Sequence, residues 1–230
     1  MSGRITDTFR RLKTAGRTGL VTYVTGGDPD LTRSTEVVRA LDRAGSDVIE
    51  VGVPFSDPLA DGPVIQRASE RALAAGVTLT GVLELVNQVR ADVHAAIVLF
   101  TYANPVFSMG AEQFAARAAA VGVDGVLVLD LPIEEAGPFR QTIVDAGMDP
   151  IFLLSPTTTD DRLKQVAALG RGFLYGISRL GVTGARDEVA SGASALAARI
   201  RAVSALPLAV GFGLSRPEHV REIGACADAA

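Results

Sequence analysis

The chain has 230 residues, of which 48% are apolar, and this is enough to form the core of one full-sized domain. It carries 22 basic and 26 acidic side chains, a net charge of −4 at pH 7. Nucleic acids and anionic membranes attract proteins with an excess of cations, so the composition disfavours both as partners. The longest apolar run, Ala95 to Phe100, is much shorter than a membrane span. The single cysteine, Cys226, excludes an internal disulfide and a cysteine-based metal cluster, and it suits a cytoplasmic protein.

In chain order, short apolar segments alternate with longer segments of helical periodicity. The predicted strands are Leu20–Val24, Val48–Val53, Ile97–Tyr102, Val126–Asp130, Pro150–Leu154, Phe173–Ile177 and Leu208–Phe212. The predicted helices are Leu31–Ala44, a doubled stretch at Val64–Ala91, Ala111–Val121, Glu134–Ala146, Asp161–Leu169, Glu188–Val203 and Pro217–Ile223. Glycines that predict left-handed helix ends follow four of the helical segments: Gly45, Gly76, Gly122 and Gly147.

The regular alternation of strands and helices predicts an α/β fold with a parallel sheet, either a (β/α)8 TIM barrel or a doubly wound sheet. No Gly-x-Gly-x-x-Gly sequence follows the first strand, and glycines and acids recur at many strand ends, which favours the barrel. Seven strands are predicted, and the chain stops where an eighth would start. An open sheet would leave two unpaired edges. We therefore expect one TIM-barrel domain over residues 1–230, incomplete at its carboxyl end because the eighth β/α unit is missing.

Acidic side chains at and after the second strand are the main candidates for chemistry. Alternation directs Ile49 and Val51 toward the helices and Glu50 toward the barrel interior. A carboxylate among apolar residues has a raised pKa suited to proton transfer near neutrality, although a structural pair with an arginine would explain Glu50 equally well. In the next loop, Asp57 could organise a turn, and Asp61 could cap the following helix. Alternatively, Glu50 and Asp61 flank one small substrate with different protonation roles.

Two glycine-bearing stretches, Ser178–Arg186 and Gly211–Ser215, follow the sixth and seventh strands. Backbone N–H groups in such turns bind anions, and barrels commonly hold phosphate in the loops at this position. We therefore expect a phosphorylated substrate. The first stretch has little side-chain bulk, which is also compatible with a mobile lid.

The positions of the lysines and histidines, and the absence of a serine-nucleophile motif, argue against several other mechanisms. Lys13 and Lys164 lie in helical segments, so no lysine at a strand end could form a Schiff base. His94 and His219 are far apart in sequence and are expected at the surface, which disfavours metal-dependent aldol chemistry. No Gly-x-Ser-x-Gly motif is present. The remaining possibility is acid–base chemistry by carboxylates, without a metal, on a phosphorylated small molecule.

A block of fourteen residues, EVGVPFSDPLADGP, runs from Glu50 to Pro63 and is followed by Ile65-Gln66. Five shorter motifs accompany it in order along the chain: Thr25-Gly-Gly-Asp-Pro29, Tyr102-Ala-Asn-Pro105, Asp130-Leu-Pro132, Gly181-Val-Thr-Gly184 and Gly211-Phe-Gly213. Together they resemble the tryptophan synthase alpha subunit family over essentially the whole chain. The resemblance implies a (β/α)8 barrel lyase that cleaves indole-3-glycerol phosphate to indole and glyceraldehyde 3-phosphate, with no cofactor in this chain.

The resemblance also implies roles for individual residues. Glu50 would be the catalytic acid–base, and Asp61 would accept a hydrogen bond from the indole N–H. The indole pocket would be lined by Tyr23, Phe100 and Phe212, with Tyr175 helping to shape the site. The hydroxyl of Thr183 would bond Asp61 when its loop closes. The backbone N–H groups of Gly184 and Gly213 would bind the phosphate. Tyr23 and Phe100 stand where other members often have Phe and Leu, and both changes keep an apolar wall.

Members of the family bind a beta subunit that depends on pyridoxal phosphate and receives indole internally, which implies an α2β2 heterotetramer. Pro54 and Asp57 in loop 54–60, and the segment Tyr102–Pro105, are expected near that interface. Three alternatives stay open: a stand-alone lyase that releases indole, a non-catalytic partner that only activates the beta subunit, and a flavin-dependent barrel. In the family, the loop after the eighth strand supplies a Gly-Ser pair to the phosphate. A natural protein without the eighth unit would therefore bind phosphate poorly. We expect instead that the chain is truncated at its carboxyl end.

Overall fold

The computed structural model describes residues 3–177, 190–211, 213–214 and 216–230. Within these ranges, seven parallel strands form one sheet in sequence order. They are β1 (Val21–Thr25), β2 (Val48–Gly52), β3 (Ala96–Thr101), β4 (Gly125–Val128), β5 (Asp149–Leu154), β6 (Leu174–Ile177) and β7 (Leu208–Gly211). The helices are α1 (Arg4–Ala15), α2 (Leu31–Arg43), α3 (Pro63–Ala74), α4 (Leu79–Val89), α5 (Ala103–Met109), α6 (Ala111–Ala120), α7 (Ala136–Asp145), α8 (Asp160–Leu169), α9 (Ala190–Arg201) and α10 (Pro217–Ile223).

Every predicted strand and helical segment is found, with ends that differ by one or two residues where they are described. The doubled stretch is the pair α3 and α4. The four glycines expected at helix ends have φ values between 78° and 98°. Two helices are absent from the predicted set: α5, and α1, of which only the position of Lys13 in a helical segment was expected. No helix in the described ranges is by itself long and apolar enough to cross a membrane; α3 and α4 pass that test only as a pair, and they are bent by 95° at their junction.

The sheet curls into a barrel whose amino-terminal rim is closed by the last residues of the chain. Ala230 N–H donates to the Gly19 carbonyl at 3.0 Å, and Val21 N–H donates to the Ala230 carbonyl at 2.8 Å. On the other side, Val210 N–H donates to the Ala229 carbonyl at 3.0 Å. Ala229 and Ala230 therefore bridge β1 and β7 at the point where an eighth strand would begin, while the described sheet has seven strands.

Side-chain alternation along the strands separates an inner apolar layer from the outer layers that pack against the helices. The inner layer includes Val48, Val98 and Leu127, whereas Ile49 and Val51 belong to an outer layer. These positions follow from the period of two in a strand.

Helix α1 fills the amino-terminal end of the barrel. Its buried side chains Ile5, Phe9 and Leu12 join the inner layer, and the Phe9 ring centroid lies 5.4 Å from that of Phe173 just before β6. A helix that contributes this much buried apolar surface is part of the core. The spacing of the three apolar residues, i, i+4 and i+7, was the available sequence signal of an amphipathic helix.

Replacing Phe9 by alanine is expected to reduce the free energy of unfolding by about 3–5 kcal/mol, because it leaves a cavity between α1 and the strands. Urea denaturation followed by circular dichroism measures the change. Lys13→Ala, on the exposed side of the same helix, is the matched control and should change stability by no more than about 0.5 kcal/mol. Equal effects of the two substitutions would show that α1 does not contribute to the core.

Candidate active site

Glu50 lies in the middle of β2 and faces the barrel interior, as alternation predicted. The residue is 2% exposed, and its Oε1 has no hydrogen-bond partner among the described residues. The same part of the chain contains no ion pair to Glu50, so the arginine pairing considered from the sequence is not found there. Burial raises the pKa of Glu50 to about 8, because water no longer solvates the carboxylate. The group is therefore mostly protonated at neutral pH and can give and take a proton.

Asp61 lies in the loop between β2 and α3 and is also buried. Its Oδ2 accepts a hydrogen bond from the Tyr102 hydroxyl at 3.0 Å. Burial raises the pKa of Asp61, and the bond from Tyr102 opposes that rise. The alternative in which Asp61 caps the next helix is wrong: Gly62 is the N-cap of α3, with no side-chain cap bond, and Pro63 is the first helical residue.

Asp57 is exposed and accepts a hydrogen bond from the Ser56 hydroxyl at 2.6 Å. Its carbonyl also accepts the Leu59 N–H at 2.8 Å, and the Pro58 carbonyl accepts the Asp61 N–H at 3.0 Å. Asp57 thus lies in a turn that is held by backbone hydrogen bonds, and its side chain bonds to the neighbouring Ser56.

A cavity of about 450 Å³ is lined by both Glu50 and Asp61, and it extends from the carboxyl ends of the strands to Val21 and Ala230 at the amino-terminal end of β1. Six of the predicted site residues line it: Tyr23, Glu50, Asp61, Phe100, Tyr175 and Gly213. No lysine or arginine lines the cavity in the described part of the chain. The other predicted site residues, Thr183, Gly184 and Phe212, lie outside the described residues, so their roles stay predictions.

The aromatic wall of the cavity depends on two glycines of the strands. Tyr23 and Phe100 meet edge to face, with ring centroids 5.4 Å apart. A Cβ atom at Gly52 would lie 2.1 Å from the Tyr23 hydroxyl oxygen, and one at Gly211 would lie 2.3 Å from the Tyr175 hydroxyl oxygen. Both contacts are shorter than real Cβ contacts. Each tyrosine ring therefore occupies the space that the side chain of any other residue at the glycine position would need.

Gly213 has a φ of +76° and lines the same cavity. An L-residue with a side chain rarely adopts this left-handed conformation, whereas glycine adopts it readily. Glycine also lets a ligand approach the backbone closely. This geometry is compatible with the predicted phosphate contact.

Tyr102 has a contact with the site that the sequence did not predict, because its hydroxyl donates a hydrogen bond to Asp61. Its position directly after β3, at the carboxyl end of a strand, was the available signal. The expectation that segment Tyr102–Pro105 lies near a partner interface stays a prediction.

The histidines and lysines lie away from the cavity. His94 is exposed, as predicted, but the prediction for His219 is wrong: it is buried in α10, and its Nε2 accepts a hydrogen bond from Arg216 Nε at 3.1 Å. Lys13 and Lys164 lie in α1 and α8. Within the described ranges, no group of three or more His, Cys, Asp or Glu side chains could hold a metal ion.

A parallel barrel with two buried carboxyl groups and an aromatic wall in one cavity is typical of the TIM-barrel class of enzymes. The family model for the tryptophan synthase alpha chain matches residues 9–230. The tryptophan synthase alpha chain of Citrifermentans bemidjiense is 51% identical over 225 residues, which cover 98% of this chain and 84% of that protein. The chain therefore belongs to the tryptophan synthase alpha chain family.

Solved structures agree with the assignment. Tryptophan synthase from Mycobacterium tuberculosis matches with a TM-score of 0.93 and 37% identity, over 100% of this chain and 88% of that one. The tryptophan synthase a2b2 complex from Pyrococcus furiosus matches with a TM-score of 0.87 and 40% identity, over 92% of this chain and 85% of that one. Members of this family are lyases that cleave indole-3-glycerol phosphate and carry no cofactor, while pyridoxal phosphate is in the beta subunit. The flavin-dependent alternative does not fit this family.

Gly52→Ala is expected to displace the Tyr23 ring and to lower the free energy of unfolding by about 1–3 kcal/mol, the usual cost of overpacking. Tyr23→Leu in the same chain should restore much of this loss, because leucine lacks the three atoms, Oη, Cζ and Cε2, that the new methyl group would meet. Thermal melting of the single and double variants measures both effects.

The control is Gly137→Ala in α7, where an added Cβ meets nothing within 4 Å. A Gly52→Ala chain as stable as the Gly137→Ala chain would contradict the close approach of Tyr23 to β2.

Proposed function

We propose that this chain cleaves indole-3-glycerol phosphate with Glu50 as the acid–base group and Asp61 as the acceptor for the indole N–H. The observation that supports this assignment is the different hydrogen bonding of two carboxyl groups buried in one cavity. Glu50 has an Oε1 without a partner among the described residues, whereas Asp61 accepts a hydrogen bond from Tyr102. Different environments give the two groups different protonation states, which is what an acid and an anionic stabiliser require.

The first step is the transfer of the Glu50 proton to C3 of the indole ring, the carbon that carries the glycerol phosphate chain. Protonation removes the aromaticity of the five-membered ring and places positive charge on N1. The ring then serves as the electron sink that the cleavage needs. Glu50 leaves this step as a carboxylate.

In the second step, the Glu50 carboxylate removes the proton of the C3′ hydroxyl. The C3′–O bond becomes a carbonyl, the bond between C3′ and the ring breaks, and its electron pair restores the aromatic ring. The products are indole and glyceraldehyde 3-phosphate. Glu50 ends the cycle protonated, so one group performs both proton transfers and no net oxidation occurs.

Asp61 acts on the opposite side of the ring. Its carboxylate accepts the N1–H bond and stabilises the positive charge that develops on N1 in the first step. The low-dielectric cavity strengthens this interaction, because little water competes for the carboxylate. Asp61 must therefore be ionised while Glu50 is protonated.

The remaining assignments concern binding. Tyr23, Phe100 and Phe212 form the indole wall, with Tyr175 shaping the cavity beneath it. The backbone N–H groups of Gly184 and Gly213 hold the phosphate, and Thr183 bonds Asp61 when its loop closes. The aromatic wall of the cavity and the left-handed conformation of Gly213 support this arrangement.

The partner is a pyridoxal-phosphate-dependent beta subunit in an α2β2 assembly in the cytoplasm. The beta subunit receives indole internally from this chain. Leu59, at 93% exposed, lies in the predicted interface loop 54–60, and Phe107, at 50%, follows the predicted interface segment Tyr102–Pro105. Both are large apolar side chains that a partner surface could cover. We therefore place the beta subunit against this face, with Pro54 and Asp57 in the contacting loop.

Glu50→Gln is expected to lower kcat for indole release by about 10²–10⁴-fold, since the amide keeps the shape of the side chain but cannot exchange the proton. Indole formation is measured with and without a beta subunit. Binding of a substrate analogue that lacks the C3′ hydroxyl, and so cannot be cleaved, should stay within a few-fold.

Glu84→Gln, on the exposed side of α4, is the matched control and should keep full turnover. Unchanged turnover in Glu50→Gln would refute the role of Glu50. A wild-type chain that activates the beta subunit but releases no indole would instead support the non-catalytic alternative, and rapid release without a beta subunit would support the stand-alone one.

A further inference from the structure

We propose that Tyr102 is a positioning residue for this lyase: its hydroxyl holds one oxygen of Asp61 so that the other oxygen is available to the indole N–H. The inference rests on the proposed role of Asp61 and adds a residue that does not itself touch the substrate. The Tyr102 hydroxyl is buried and bonded to a carboxylate of the site, and the mechanism above gives it no role.

The Tyr102 hydroxyl makes two hydrogen bonds to the same loop. It donates to Asp61 Oδ2 at 3.0 Å and accepts from the Ala60 N–H at 3.1 Å. A phenol has one proton to donate, so the bond from Ala60 orients the hydroxyl with its proton toward Asp61. In the described part of the chain, this is the one hydrogen bond found to the Asp61 carboxylate. Oδ1 is therefore the oxygen left for the substrate.

Tyr102 is itself held firmly. It is 4% exposed, directly follows β3, and its ring packs against Phe55 at a centroid distance of 5.0 Å. The next residue, Ala103, donates its backbone N–H to Asp130 Oδ1 at 2.7 Å, beyond the end of β4. Tyr102 is thus fixed by the ends of β3 and β4. Through its hydroxyl it anchors the loop between β2 and α3, which lacks regular secondary structure.

The contact also affects the charge of Asp61. The Tyr102 hydroxyl donates to the ionised form of the carboxyl group and so lowers the pKa of Asp61 against the effect of burial. Burial and the nearby Asp61 charge raise the pKa of Tyr102 itself, so the phenol keeps its proton over the range in which the enzyme works. Tyr102 therefore has two effects on Asp61: it sets the direction of the carboxylate, and it favours the anion.

The test compares four chains, each bound to a beta subunit: wild type, Tyr102→Phe, Asp61→Asn and the double variant. The readout is kcat/KM for indole-3-glycerol phosphate as a function of pH. We expect Tyr102→Phe to lower kcat/KM by about tenfold or more, the usual effect of losing a hydrogen bond to a charged group. We also expect the acidic limb of the profile to move to higher pH. The substrate phosphate titrates equally in every chain and does not affect the comparison.

In the Asp61→Asn background, Tyr102→Phe should change kcat/KM by less than about twofold, because the two residues act through one interaction. Phe55→Leu, which removes the ring packing but keeps the hydroxyl, should leave the acidic limb in place. If its limb moved as far as that of Tyr102→Phe, packing rather than the hydroxyl would be responsible, and the inference would be overturned.

Two results separate the possible failures. An unmoved acidic limb in Tyr102→Phe, or an equal loss in both backgrounds, would show that Tyr102 is only structural, while Asp61 keeps its role. Full activity of Asp61→Asn would refute the proposed role of Asp61, whatever Tyr102 does. Melting temperatures of all four chains identify any loss that comes from unfolding; a Tyr102→Phe chain that is folded yet shows the shifted limb supports the inference.

Discussion

The chemistry proposed for this barrel depends on a carboxyl group, that of Glu50, kept in an apolar interior with no donor to its Oε1 among the described residues. Burial alone raises the pKa of Glu50 to about 8. Asp61 lines the same cavity, yet the hydroxyl of Tyr102 favours its charged form. Burial raises the pKa of both groups and the Tyr102 bond opposes the rise at Asp61, so the proposed mechanism requires opposite protonation states of two groups of the same chemical kind. A lysine or arginine beside them would stabilise both anions, and none lines the cavity in the part of the chain that the structure describes.

The two carboxyl groups are positioned by different means. Glu50 lies on β2, which is hydrogen-bonded to β1 on one side and to β3 on the other, so the sheet fixes the position of its backbone. Asp61 lies in a loop, where backbone pairing does not determine the direction of a side chain. Its orientation depends on the neighbouring strand end, through Tyr102. An acid held by the sheet and an anion held by a hydrogen bond fit the proposed reaction, in which one proton moves twice while the charge on N1 appears and disappears.

Much of this arrangement could be predicted from the sequence. Alternation in β2 placed Glu50 inside the barrel, and the fourteen-residue block identified Asp61. The contact between Tyr102 and Asp61 could not be predicted, because it joins residues 41 positions apart across two strand ends. Nor could the closure of the rim by Ala230, since two residues are too few to show a strand period. His219 was misjudged because burial in a short helix depends on what packs against it.

The protonation state of Glu50 can be measured directly. Carbon-13 labelling of the glutamate side-chain carboxyl groups allows each to be titrated by NMR, and the Glu50 signal is the one that disappears in the Glu50→Gln chain. The account predicts that this signal titrates near pH 8, well above the ordinary value of 4.5. A Glu50 signal that titrates near 4.5 would contradict it, because the carboxylate would then already be charged at neutral pH and could not deliver the first proton.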